Sequence, residues 1–318
     1  MKHTVFKALA DAASQREPVA LGIISGVKGS SPQKIGAKAL FYDDGRITGT
    51  LGGGCLEAEI QQRAIQGLRT GKPGSFDLLL DHDFGWDDGL ICGGKVLGLI
   101  LPNAQDAGVE LWTNLAQRSS AITWGVAADY SICRCDSHEQ GAPTKLLYQE
   151  TVQPPCPLWI AGAGHIAQAV APLALQLDFK VTVFDDRPAL ANAQFFPQEV
   201  ALKADVWEKL LAMPPPMGNA FGLIVTRGHR HDALVLRDWI HKPFLFLGMI
   251  GSSRKARILF EHFIEEKIAT IEDLQRVACP VGIRIRSQSV TEIAVSIMAQ
   301  FIDKRAELAR VSALEGES

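Results

Sequence analysis

Two cysteines in this chain abut runs of glycine: Gly52-Gly53-Gly54-Cys55 and Cys92-Gly93-Gly94. Glycine lets a backbone approach a ligand closely and adopt positive φ. Leu56, Ile60, Ala64 and Leu68 then recur every four residues, with Glu57, Glu59, Gln61, Gln62 and Arg63 between them. That spacing predicts a helix with one apolar face, so Gly52 to Cys55 would lie at its N-terminus. Unpaired N–H groups and the helix dipole attract anions there, and the same field favours a thiolate, the reactive and metal-binding form of cysteine. A glycine cradle with a thiolate at its edge suits a phosphorylated, sulfur-bearing or metal-bearing ligand. The bland alternative is that Cys55 is a small core residue beside a tight turn.

A second glycine pattern lies further along. Gly162-Ala163-Gly164-His165-Ile166-Ala167 fits the G-x-G-x-x-A dinucleotide fingerprint. It follows an apolar segment, Leu158 to Ala161, and opens a helix predicted over 165–177, the context its mechanism requires. Asp185 ends the next strand, where an acid can hydrogen-bond a ribose; Arg187, two residues on, can instead meet a phosphate. Two later loops, Arg227-Gly228-His229-Arg230-His231-Asp232 and Gly251-Ser252-Ser253-Arg254-Lys255, leave further strands of the same pattern. Gly251 and Ser252 open a turn with two cations, an anion contact. His165, His229, His231 and Asp232 are placed to converge at that edge, as satisfied polar loop residues or as a metal site. No Ser/His/Asp order and no H-E-x-x-H spacing occurs.

The elements that must hold these residues fall into two halves. Residues 1–152 read as an α+β domain in which strands outnumber helices, with a hairpin around Asp43-Asp44-Gly45. Gln153 to Pro157, rich in proline, reads as the linker. Residues 157–318 alternate strand and helix strictly, the pattern of a Rossmann-like parallel sheet. The fold class is therefore α/β: a C-terminal Rossmann-like domain preceded by a smaller α+β domain. Pro172 should kink the first helix of the second half, later helices are predicted over 232–240, 254–266, 271–276 and 291–308, and the tail from Ser312 should fray.

Composition excludes several classes. With 318 residues, the chain can bury two cores of ordinary size. A net charge of −3 and no Lys/Arg-rich run argue against nucleic acid. Six cysteines in this length are no disulfide framework; Cys133-Arg134-Cys135, with one intervening residue, reads as strand or loop and not as a metal knuckle. No apolar run is long enough for a membrane span. A cytoplasmic protein with reduced thiols is expected.

Taken together, the motifs resemble the XdhC/CoxI family of accessory proteins for molybdenum hydroxylases of the xanthine dehydrogenase and aldehyde oxidase type. They are Gly29-Ser30-Ser31-Pro32, Gly49 through Glu57, Cys92-Gly93-Gly94, Gly162-Ala163-Gly164-His165, Asp185-Asp186-Arg187-Pro188, Thr226-Arg227-Gly228-His229, Gly248 through Ser252, and Glu292 through Ile297. The resemblance implies a chaperone and not an enzyme: a protein that binds molybdenum cofactor in its molybdopterin form, protects it during sulfuration and helps insert it into the apo-hydroxylase. A cysteine desulfurase and the apo-hydroxylase would be its partners, and a homodimer its assembly, with no nucleic acid and no membrane. The cofactor-binding residues would be Gly52, Gly53, Gly54, Cys55, Cys92, Gly93, Gly162, Gly164, His165, Asp185, His229, Gly251 and Ser252, with Cys55 and Cys92 as molybdenum contacts. The chain departs from the family pattern in one loop. The usual Leu-Asp-Ile-Gly-Ala is Ile283-Arg284-Ile285-Arg286-Ser287, and the usual Thr-Pro-Glu-Glu is Ser289-Val290-Thr291-Glu292. Two other readings use the same fingerprint: an NAD(P)-dependent oxidoreductase with His165 or His229 as acid, and a nucleotide-sensing regulatory module.

Overall fold

A computed structural model describes residues 2–29, 33–80, 94–135, 145–216 and 219–315. It divides into two units, Met1–Pro154 and Pro155–Ser318. The first contains α1 (Lys2–Gln15), β1 (Val19–Lys28), β2 (Lys38–Tyr42), β3 (Ile47–Gly49), α2 (Gly54–Thr70), β4 (Gly74–Leu80) and β5 (Gly94–Leu101). A single 3₁₀ turn (Ala104–Ala107), α3 (Val109–Gln117), β6 (Ile122–Ala127), β7 (Ile132–Arg134) and β8 (Leu146–Val152) complete it. The strands form two antiparallel sheets, ordered β3-β2-β1-β5-β4 and β7-β6-β8.

Strand β1 is apolar on both faces because both are covered. Val19, Leu21 and Ile23 pack with Phe6 and Leu9 of α1 and with Trp112 and Trp124. Ala20 and Ile24 pack with Leu56, Ile60 and Ala64 of α2, the stripe that the four-residue spacing predicts. Lys38 is buried where the two sheets' side chains meet. Its Nζ lies 2.5 Å from Glu150 Oε2 and donates to the Tyr148 hydroxyl at 3.2 Å, so the buried charge is paired and hydrogen-bonded.

The second unit runs β9 (Cys156–Ala161), α4 (His165–Gln176), β10 (Phe179–Asp185), β11 (Ala201–Ala204), α5 (Trp207–Leu211), β12 (Ala220–Ile224), α6 (His229–Trp239) and β13 (Phe244–Met249). Helices α7 (Ser253–Glu265) and α8 (Ile271–Gln275), strand β14 (Val277–Ala278) and helix α9 (Val290–Glu315) follow. Six parallel strands lie in the order β11-β10-β9-β12-β13-β14. The order reverses between β9 and β12, the switch point at which such sheets open a crevice beyond their carboxyl ends. One face buries Ala167, Val170 and Ala174 of α4 with Ile297 and Phe301 of α9; the other buries Val235, Leu236 and Trp239 of α6 with Phe263 of α7. This is the α/β class the strand–helix alternation predicts.

Several boundaries differ from the sequence reading. β9 begins at Cys156 and takes in Pro157, so the linker is shorter than Gln153 to Pro157; proline is tolerated near a strand's start. α6 begins at His229, ahead of Asp232, because Gly228 caps it. α4 runs from His165 to Gln176 with Pro172 inside it. α9 is helical to Glu315, so the helix takes in residues 312–315. β11, largely exposed and at the sheet edge, and the five-residue α5 are too short to show a period.

Candidate functional site

The fingerprint loop sits at the carboxyl end of β9. Gly162 has φ 111°, and a Cβ there would stand 2.3 Å from the Val225 carbonyl oxygen, so only glycine lets this loop press against the end of β12. Val225 N–H donates to Ala161 O at 2.9 Å, and Gly162 N–H to Phe184 O at 2.7 Å. Gly164 is the N-cap of α4, at φ −75°. A Cβ there would meet nothing within 4 Å. His165 opens the helix and is exposed.

Asp185 is buried and holds this loop from behind. Its Oδ2 accepts from Ala163 N–H at 2.6 Å and from Arg187 Nη2 at 2.8 Å; its Oδ1 accepts from Arg187 N–H at 2.9 Å and Nε at 2.7 Å. A carboxylate has about four lone-pair directions, and all four are engaged here. Burial pushes the Asp185 carboxyl upward, but the bonds from Arg187 and Ala163 outweigh it and hold the group below the usual carboxylate value. The sequence reading offered Asp185 to a ribose and Arg187 to a phosphate. The structure pairs them with each other.

The loops after β10, β12 and β13 are tied together by charge. Arg227 Nη2 donates to Asp186 Oδ2 at 2.8 Å and to His231 Nε2 at 3.3 Å. Asp232 is buried, its Oδ1 accepting from the Thr226 hydroxyl at 2.6 Å and the Thr226 N–H at 3.1 Å. Its Oδ2 lies 2.5 Å from Lys255 Nζ, which also donates to Ile250 O at 3.1 Å. Gly251 leaves room for this cation and for a thiol: a Cβ there would lie 2.9 Å from the Lys255 stem and 3.3 Å from Cys279 Sγ. Burial raises the Cys279 thiol; Lys255 opposes this and Asp232 adds to it. The sequence reading missed Cys279, because the strand that delivers it, β14, is two residues long. Among the described residues, no group of three His, Cys, Asp or Glu side chains could hold a metal ion. His165, His229, His231 and Asp232 thus form no such cluster.

The helix starts differ in whether they are already capped. Ser252 caps α7 with its own hydroxyl, which accepts from Lys255 N–H at 3.2 Å. α6 carries Asp232 in its first turn. α4 has no acid in its first turn and no side-chain cap. Its first N–H groups have no carbonyl within the helix to bond, so it is the start in the crevice most open to an anion.

In the first unit, Gly52, Gly53 and Gly54 have φ of 125°, 75° and 59°, and Cys55 is exposed in the first turn of α2. This start carries its own carboxylate: Glu57 Oε2 accepts from the Thr50 hydroxyl at 2.8 Å and Leu51 N–H at 2.7 Å. The core-residue reading of Cys55 does not fit an exposed side chain. Cys92 and Gly93 lie outside the described residues.

The site is chemically suited to a phosphorylated ligand at α4: an open cradle at Gly164, uncapped N–H groups, and a loop braced by Asp185. No helix among the described residues is long and apolar enough to cross a membrane.

The XdhC Rossmann domain matches residues 158–301, and the XdhC and CoxI family matches residues 12–82. A Bacillus subtilis (strain 168) protein, named as a probable subunit of xanthine dehydrogenase, is 26% identical, over 97% of this chain and 99% of its own length. The Escherichia coli (strain K12) molybdenum cofactor insertion chaperone PaoD is 23% identical, over 88% of this chain and 81% of its own. A crystal structure of a Bacillus halodurans protein described as a xanthine dehydrogenase superposes with a TM-score of 0.79 at 24% identity, covering 96% of each chain. That likeness establishes the fold. The two family matches are in chain order, take in more than half of the sequence and carry both glycine motifs, Gly52-Gly53-Gly54 and Gly162-Ala163-Gly164; this chain belongs to the XdhC and CoxI family.

Proposed function

We propose that this chain carries molybdenum cofactor, in its molybdopterin form, as cargo, protects it during sulfuration and helps insert it into an apo-hydroxylase of the xanthine dehydrogenase type. The observation that carries the reading is the start of α4. It offers uncapped N–H groups, an open glycine position and no competing acid, which suits the terminal phosphate of a pterin. The similarity to an insertion chaperone supports the same role. Gly164 and His165 hold the phosphate end, and Gly162 shapes the turn that presents them. Cys55 is an exposed thiol at a glycine-rich helix start, and soft thiolates suit a metal bound by sulfur; Cys92 is proposed alongside it. The apo-hydroxylase and a cysteine desulfurase are the proposed partners. The NAD(P) oxidoreductase reading depends on an acid for the ribose, and Asp185 has its lone pairs filled.

The test is purification from cells that make molybdopterin. Fluorescence of the oxidised pterin and elemental molybdenum are then measured per chain, with bound nucleotide assayed in parallel. Pterin in near-stoichiometric amount supports the proposal. Nucleotide without pterin or molybdenum overturns it in favour of a nucleotide-binding module.

A further inference from the structure

Cys133 and Cys135 bring two thiols together in the first unit. Cys133 lies in β7 opposite Gly125 of β6, and Cys135 continues that edge, its N–H bonded to Thr123 O at 2.8 Å. Residues two apart in a strand share a face, so the thiols stand side by side, with Sγ atoms 3.7 Å apart. Gly125 makes the room: a Cβ there would lie 3.2 Å from Cys135 Sγ. On the same face Thr123, half-buried, and Thr151, exposed, are joined hydroxyl to hydroxyl at 2.9 Å. The pair is half-buried at the edge strand of its sheet.

The separation discriminates between two chemistries. Two thiolates on one tetrahedral ion, at metal–sulfur distances of about 2.3 Å, stand about 3.8 Å apart. A disulfide needs its sulfurs about 2.05 Å apart, so closing one here would draw the two Sγ atoms, 3.7 Å apart, together by about 1.7 Å. A metal ion fits the sulfurs where they stand, and a disulfide would require them to move.

We propose that Cys133 and Cys135 are a two-thiolate chelating site for a thiophilic divalent ion of the zinc and cadmium class. Each thiol gives up its proton as its sulfur bonds the ion, so one ion bound releases two protons and no electron is transferred. Among the described residues no third metal-binding side chain is grouped with them.

The experiment uses the full chain with Cys55, Cys92, Cys156 and Cys279 replaced by alanine. Cadmium is titrated and followed by its sulfur-to-metal charge-transfer absorption. One equivalent should bind, with affinity rising about 100-fold per pH unit while both thiols are protonated, as release of two protons requires. Cys133→Ser and Cys135→Ser should each weaken binding at least tenfold. Absence of the charge-transfer band, or either serine variant binding as tightly as its parent, overturns the proposal. Should the four-alanine chain not fold, wild type is compared with the Cys133→Ser/Cys135→Ser double variant. A difference of one equivalent supports the site, and equal uptake overturns it.

Discussion

Gly164→Asp separates the ligand role of the fingerprint from its structural role. Gly164 is the N-cap of α4, its φ of −75° suits any residue, and a Cβ there meets nothing within 4 Å. Aspartate is among the best N-caps and exceeds glycine by only a few tenths of a kcal/mol, so the variant should melt at or slightly above the wild-type temperature. Its carboxylate would accept the first-turn N–H groups that a phosphate needs and would repel the phosphate charge. Losing one to two charge-assisted bonds costs about 1.5–3 kcal/mol, or roughly a tenfold to hundredfold loss of affinity. The assay is pterin content of protein purified from molybdopterin-producing cells, alongside a thermal melt. A folded Gly164→Asp protein with wild-type pterin content would refute the assignment of the phosphate to α4.

Four further outcomes test other parts of the structure. Gly162→Ala should destabilise the second unit by about 3 kcal/mol, from its φ of 111° and a Cβ 2.3 Å from Val225 O, lowering Tm by roughly 6–12 °C; a Tm within 2 °C of wild type, about 0.5–1 kcal/mol, would show that the loop relaxes. Arg286 holds φ 57° where the family pattern has glycine, so Arg286→Gly should stabilise by about 1 kcal/mol, read as a higher urea midpoint, and a lower midpoint would count against backbone strain there. Because the folded Asp185 carboxyl sits below its ordinary value, its contribution is complete above about pH 4 and is lost as pH falls through the lower folded value; the stability gap between wild type and Asp185→Asn should close below pH 4, and a constant gap from pH 6 to pH 3 would contradict this. Cys156 should alkylate more slowly than exposed Cys55 at pH 8, since burial pushes its thiol up to about 12 and it donates to Asn219 O at 3.1 Å; equal rates in a mass-spectrometric time course would exclude that.

What the sequence revealed was local. The Gly162 to Ala167 fingerprint is read within six residues, and its strand, turn and helix are all present. The α2 stripe of Leu56, Ile60 and Ala64 is likewise a periodic signal, and these residues are buried. What it hid was partnership. Whether the carboxylate of Asp185 faces a ligand or Arg187 depends on side-chain rotamers, which residue types do not encode. The Asp232–Lys255 pair joins residues 23 apart through the sheet's topology. Cys279 arrives on a strand whose two residues owe their conformation to pairing with β13. Cys133 and Cys135 read as a non-knuckle because a metal knuckle is a turn motif; a strand brings thiols together by a different rule, the alternation of its faces.

The bracing of the fingerprint loop by Asp185 has a kinetic consequence. A loop already held by the Ala163 N–H bond to Asp185, itself fixed by Arg187, and by the Gly162 N–H bond to Phe184 O loses little further conformational freedom when a ligand arrives, so capture would proceed without a prior ordering step. On the proposed function, release would then need no loop to unlock, and the residence time of an anion at α4 would follow from the strength of its contacts alone. A carrier built this way would hand over its cargo when a recipient offers better contacts.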